Sequence, residues 1–173
     1  TFVRNFTDVD DKIIARANKR GVTTDQVVEE NIEHFYRDMG ALGVLDSRPG
    51  TPRPSGLQVI EPRVTTTIEP IVEMVAKLIE NGHAYASGGD VWFAVRSFEG
   101  YGALGRRTLD DMRAGARVDV DSNKRDPMDF ALWKSAKPGE PSWGSPWGRG
   151  RPGWHIECSA MIHTHLGDHT HLH

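Results

Sequence analysis

The chain has 173 residues, 38% of them hydrophobic, and a formal net charge of −3 from 21 Lys and Arg against 24 Asp and Glu. That is the composition of one soluble domain, or of one carrying a small insertion. Nothing in it demands nucleic acid, although a local basic patch stays open. The single cysteine excludes an internal disulfide framework and fits a reducing compartment. No apolar run reaches the roughly eighteen residues of a membrane-spanning helix, and no signal peptide is visible.

Taken in order, Thr1–Phe6 reads as a short β-type run. "TDVDDK" then offers Asp8 or Asp10 as the cap of a helix through Ile13, Ile14 and Ala17, ending at Gly21. Asp8, Asp10 and Asp11 can serve as caps or gather a cation. Thr23 and Gln26 form a capping-box pattern ahead of Val27, Val28, Ile32, Phe35, Tyr36 and Met39 at helical spacing, closed by Gly40 and Gly43. Asp46–Val59, dense in proline and glycine, reads as an exposed connector with its arginines in solvent. Ile68, Ile71, Val72, Val75, Leu78 and Ile79 predict a third helix ending at Asn81–Gly82. A Gly-Gly turn then joins two candidate strands in "HAYASGGDVWFAV". "TLDDM" predicts a brief helix from Thr108, and "ARVDVDS" a strand. Helices, a hairpin and mixed elements together predict an α/β domain with an inserted subregion.

Four of the five tryptophans lie between Trp133 and Trp154, in a stretch rich in proline and glycine. They read as an irregular loop anchored by buried indoles, or as rigid walls beside a small cavity. From Trp154 the chain can become helical, which places His155 and Cys158 on one face. Cys158 has three open roles: a core thiol, a nucleophile with His155 as nearest base, or a zinc ligand needing about three more donors. Five of the eight histidines crowd the last eleven residues. An extended Thr170–Leu172 would align His169, His171 and His173, a terminal metal cluster or a frayed end. His34 and His83 read as structural or exposed. No P-loop occurs, and no GxGxxG fingerprint opens a helix.

"FVRNFTDVDDKIIARA" and "GRPGWHIECSAM", read together, closely resemble segments of the cysteinyl-tRNA synthetases. "GDVWFAV", "YGALGRRTLDDMRAGARVDV", "KRDPMDFALWK" and "GEPSWGSPWGRG" resemble the stretch between them in the same order. The resemblance implies a Rossmann-type α/β fold of a class I aminoacyl-tRNA synthetase catalytic domain: residues 1–82 as a partial catalytic domain, 83–135 as a connective insertion, and 136–173 as the return with the zinc-site segment. It implies activation of L-cysteine with ATP and magnesium to cysteinyl-adenylate, then transfer to the terminal adenosine of cysteine tRNA, in the cytoplasm and without a membrane partner. Cys158 matches a zinc ligand of the family, with the zinc binding the substrate thiolate and discriminating against serine. Trp154 resembles the aromatic wall beside that thiol, and Thr7 the threonine near the amino-acid group. Asn5 lies on the same entry, and His155 and Glu157 are placed to position substrate or support the metal shell. No residue is expected as general base, because adenylation mainly needs orientation and charge stabilisation.

Both termini read as interior to a longer fold. The family's HIGH-type motif and another zinc cysteine lie upstream of the matched segments, and its remaining zinc ligands and KMSKS-type loop lie downstream, so the isolated chain is expected to be inactive. His171 stands where the family has aspartate, Thr67 where it has histidine, and the connector is enlarged. Two alternatives are the cysteine ligase of mycothiol synthesis, against which the long insertion argues, and a noncatalytic metal-binding or structural fragment.

Overall fold

The computed structural model describes residues 1–44, 46, 48, 50–109, 111 and 122–170. They form two compact units: residues 1–70 with the chain from Glu157 onward, and Ile71–Ile156.

In the first unit β1 (Phe2–Val3) pairs in parallel with β2 (Val59–Ile60), Phe2 opposite Val59 and Val3 opposite Ile60. Parallel strands need a long crossover, and α1 (Asp11–Arg20) and α2 (Thr24–Ala41) supply it. Asp10 caps α1 by accepting the Lys12 N–H at 2.8 Å, and Gly21 ends the helix at φ +66°. The other candidate cap, Asp8, is buried and accepts both the N–H (3.0 Å) and the hydroxyl (2.5 Å) of Thr65. The Thr23–Gln26 capping box forms in both directions. Ile14 and Ala17 of α1 join Val27, Val28 and Ile32 of α2, with Val9, Val59 and Val64, in the buried apolar core. Each large aliphatic side chain so buried contributes about 1.5–3 kcal/mol.

The connector departs from the fully exposed reading at both ends. Val59 is a buried strand residue, and Asp46 is 2% exposed. Asp46 accepts from the Arg48 guanidinium at 2.8 Å and the Thr51 hydroxyl at 2.7 Å, and the guanidinium of Arg48 lies 4.2 Å from the centre of the Tyr36 ring. The Arg48 hydrogen bond holds the Asp46 carboxyl down at about 2. An arginine that looks free in a Pro/Gly stretch therefore ties the stretch to a carboxylate and an aromatic face. Close by, Glu61 receives Arg4 and the Tyr36 hydroxyl, while Phe6 packs edge-on against Phe35 and Tyr36.

Helix α3 (Ile68–Glu80) opens the second unit, with Ile71 and Val75 fully buried. The rest is an antiparallel sheet in the order β3 (Ala84–Ser87), β4 (Asp90–Phe93), β5 (Phe130–Ser135), β6 (Gly150–Pro152). The β3–β4 hairpin turns at Gly88–Gly89, both at positive φ, as a two-residue turn of this hand requires. Val91, Trp92, Leu132 and Trp133 fill the buried side of the sheet. β6 was not legible as a strand: Gly, Arg and Pro have no strand propensity, yet all three are buried and pair with β5. Of the indoles in the Pro/Gly-rich stretch, Trp133 is the buried anchor, Trp143 and Trp147 are half-buried, and Trp154 is exposed.

Between β4 and β5, Asp129 is a buried polar node. One carboxylate oxygen accepts the Val95 N–H at 3.0 Å; the other accepts the Tyr85 hydroxyl at 2.6 Å and the Asp126 N–H at 3.1 Å. Thr108 and Asp111 exchange the hydrogen bonds of a helix start. The predicted strand in "ARVDVDS" lies outside the described residues except for Ser122.

Candidate functional site

Helix α4 (Trp154–Leu166) begins where the sequence predicts it. Gly153 makes the junction. Its N–H closes the last sheet bond to the Leu132 carbonyl at 2.8 Å, and its own carbonyl accepts from Ile156 in the first helical turn. A strand thus passes into a helix within one residue, and that residue must be small because the β5 backbone lies against it.

In the first unit the structure brings together four of the six predicted site residues. The Cys158 thiol donates to Asn5 Oδ1 at 3.5 Å. Asn5 Nδ2 donates to Thr7 Oγ1 at 3.4 Å, and the Thr7 hydroxyl donates to Glu157 Oε2 at 2.8 Å. The four form one continuous relay from thiol to carboxyl, joining β1's outgoing chain to α4. Glu157 is only 1% exposed. Burial pushes its carboxyl up to about 7; the Thr7 hydrogen bond opposes the rise, and the charges of Asp10 and Asp8 add to it. Cys158 is exposed as a residue, yet neighbouring atoms partly desolvate its sulfur and push the thiol up, with the Glu157 charge adding. A resting thiol of this kind is a poor nucleophile, so the geometry disfavours covalent chemistry at Cys158.

The remaining two predicted residues belong to the second unit. The His155 ring lies 4.6 Å from Phe130 and 5.4 Å from Trp154, whose side chain is 64% exposed. Burial lowers the His155 pKa, and the charge of Lys134 lowers it further.

Cys158 is a fit donor for a soft or borderline ion, but among the described residues no group of three or more His, Cys, Asp or Glu is arranged to hold a metal. The expected terminal histidine cluster does not gather there: His163 pairs with Asp168 at 3.1 Å, His165 and His169 are exposed, and His171 and His173 lie outside the described residues. No helix among the described residues is long and apolar enough to cross a membrane. Asp10 is a cap and Asp8 a structural acceptor, so the acidic run does its work in the fold.

Comparison with known proteins places these residues in a lineage. The family model described as the tRNA synthetases class I (C) catalytic domain matches residues 1–173. The chain belongs to this family. The class I synthetase chain is 58% identical over 173 residues to the cysteine–tRNA ligase of Chromobacterium violaceum, covering 99% of the chain and 35% of that relative. It is 53% identical to the cysteine–tRNA ligase of Desulfotalea psychrophila, covering 100% of the chain and 33% of the relative, and 57% identical to that of Anaeromyxobacter dehalogenans, covering 99% and 34%. It therefore spans about a third of the length of the curated relatives it matches. Its α/β class agrees with the family, the parallel pair β1–β2 lying beside the antiparallel sheet.

The synthetase chain has one polar centre that reading the sequence did not single out, Asp129. Its signal was present: an aspartate immediately ahead of an apolar strand run in "DPMDFALW", where a carboxylate can gather the N–H groups of the entering loop. The relay itself gives an expected result. Thr7→Val removes the hydroxyl that donates to the buried Glu157 and accepts from Asn5, and should cost about 1–3 kcal/mol in urea unfolding. Thr7→Ser should recover most of the loss. Equal stability of Thr7→Val and the unmodified chain would show that the relay carries no weight in the fold.

Proposed function

We propose that the polypeptide carrying this segment ligates L-cysteine to its tRNA through ATP-dependent formation of cysteinyl-adenylate. The observation that carries the reading is the family match along the whole chain, joined to relatives named cysteine–tRNA ligase. The geometry of the relay supports it. Thr7 Oγ1 uses its proton toward Glu157 and one lone pair toward Asn5, which leaves one lone pair for an N–H of the substrate ammonium. Glu157, when ionised, adds negative charge behind that position. Trp154 offers an exposed apolar face suited to the substrate's side chain.

Cys158 contributes one thiolate to a zinc site completed by donors beyond the described residues. Zinc bound there supplies a thiophilic contact that the hydroxyl of serine cannot match. Asn5 turns its amide toward the Cys158 sulfur and fixes the side chain's direction. The second unit houses the family's connective insertion, and the first a part of its nucleotide-binding domain. ATP and magnesium enter as substrate and counter-ion, in the cytoplasm.

The test is pyrophosphate exchange into ATP by the polypeptide that carries this segment, with cysteine or serine as the amino acid. Exchange that requires cysteine, is lost with a zinc chelator and returns with added zinc supports the reading. Exchange with serine at a comparable rate would sink it.

A further inference from the structure

The second unit carries a run of aromatic rings that its core does not absorb. Phe93 and Phe130, opposite each other on β4 and β5, stack at 5.0 Å with 18° between their planes. Tyr101 lies 6.3 Å from Phe93 and 6.4 Å from Phe130. On its other side Phe130 meets His155 at 4.6 Å, and His155 meets Trp154 at 5.4 Å. Each step is within the range of aromatic pairing. None of the five rings belongs to a buried residue: Phe93, Tyr101 and Phe130 are half-buried, and His155 and Trp154 are exposed. On the same two strands Val91, Leu132 and Trp133 are almost wholly buried. The sheet can bury what it needs to, and leaves this row of rings partly open.

We propose that the ladder Trp154–His155–Phe130–Phe93–Tyr101 is a stacking surface for the single-stranded 3′ end of the tRNA. The proposal rests on the function proposed above and names where one of its substrates lies. Successive rings suit successive bases, because every base presents a π-face and stacking tolerates any sequence. A lone adenine would occupy one step and leave the others unused. Positive charge accompanies the rings, as a phosphate backbone requires. Lys134 follows Phe130 on the same strand and its charge reaches His155. The turn after Tyr101 folds back through Arg106 N–H to Ala103 and Arg107 N–H to Gly102, both at 3.1 Å, and exposes two arginines against the single acid Glu99. Arg106 holds φ +50°, a left-handed conformation uncommon outside glycine.

Two experiments test the proposal. In the first, the full chain is titrated with a single-stranded RNA tetramer and with a short blunt RNA duplex, at one fixed salt concentration. The tetramer should bind more tightly. Tyr101→Ala should weaken it at least fivefold and Tyr101→Phe should restore it. Equal binding of duplex and tetramer, no effect of Tyr101→Ala and Phe130→Leu, or displacement of the tetramer by equimolar ATP would each overturn the proposal. In the second, the polypeptide carrying this segment is assayed for both half-reactions. Tyr101→Ala should leave cysteine-dependent pyrophosphate exchange within twofold and lower kcat/KM for tRNA at least fivefold. An equal fall in both would assign the ring to the fold or the small substrates and overturn the proposal. If the unmodified polypeptide shows no cysteine-dependent exchange while the tetramer still binds through Tyr101, the proposed function fails and the stacking surface stands.

Discussion

Gly153→Ala should destabilise the chain by about 3 kcal/mol or more. A β-carbon at this position would sit 2.7 Å from the Ala131 carbonyl carbon and closer still to its oxygen, with the Leu132 nitrogen at 3.2 Å. All three are backbone atoms of β5, so no side chain can rotate away. Relief requires moving the strand or breaking the Gly153 N–H to Leu132 carbonyl bond. Overpacking against side chains already costs about 1–3 kcal/mol, and backbone yields less readily. Gly150 is similarly placed: an added β-carbon would lie 3.0 Å from Trp133 Cδ1 and closer to the Lys134 carbonyl oxygen and Trp133 Nε1. The glycines of "GRPGW" are thus the condition for β6 to lie against β5 before α4 begins. Urea unfolding of Gly153→Ala beside Gly144→Ala, where the same change meets open space, makes the comparison. Matching midpoints would refute the argument.

Asp129→Ala should cost about 3–5 kcal/mol. It strips acceptors from the Tyr85 hydroxyl and from the N–H groups of Val95 and Asp126 in one step, and each buried donor left unpaired costs about 1–3 kcal/mol. Asp129→Asn keeps one acceptor oxygen and should lose less. The same node has a signature in alkali. Burial raises the Tyr85 hydroxyl to about 12, the Arg125 N–H opposes the rise, and the hydrogen bond to Asp129 adds to it. Between pH 10 and 12 the native chain keeps the phenolic proton and the unfolded chain releases it. Stability is therefore complete below pH 10 and falls as pH rises through 12, by about 2 kcal/mol from this group. Tyr85→Phe should show a shallower fall over that window. Identical slopes would mean that the phenol ionises in place.

What could be read from the residues depended on how local the cause was. The caps at Asp10, Thr23 and Gly21 were legible because each is a contact of two to five residues. The apolar stripe of α3 and the Gly-Gly hairpin were legible from periodicity and turn chemistry. The strand at Gly150–Pro152 was not, because its pairing comes from β5 and its residues have no preference for it. The burial of Asp46 was hidden for a similar reason: its partner ring, Tyr36, lies ten residues back on a helix. Asn5, Thr7, Glu157 and Cys158 could be named together only through the family's motifs. No spacing rule joins residues 150 positions apart, and the structure supplied the order of their hydrogen bonds.

The first unit is discontinuous: residues 1–70 are completed only by the chain from Glu157 onward, whereas Ile71–Ile156 is one unbroken stretch. Synthesis from the N terminus therefore delivers every residue of the second unit before the first unit has all of its own. The sheet β3–β6 can close while β1, α1 and α2 still wait for α4, and Asn5 and Thr7 acquire their partners last. In the nascent chain the inserted unit is the early folder, and the relay marks the moment at which the surrounding unit is complete.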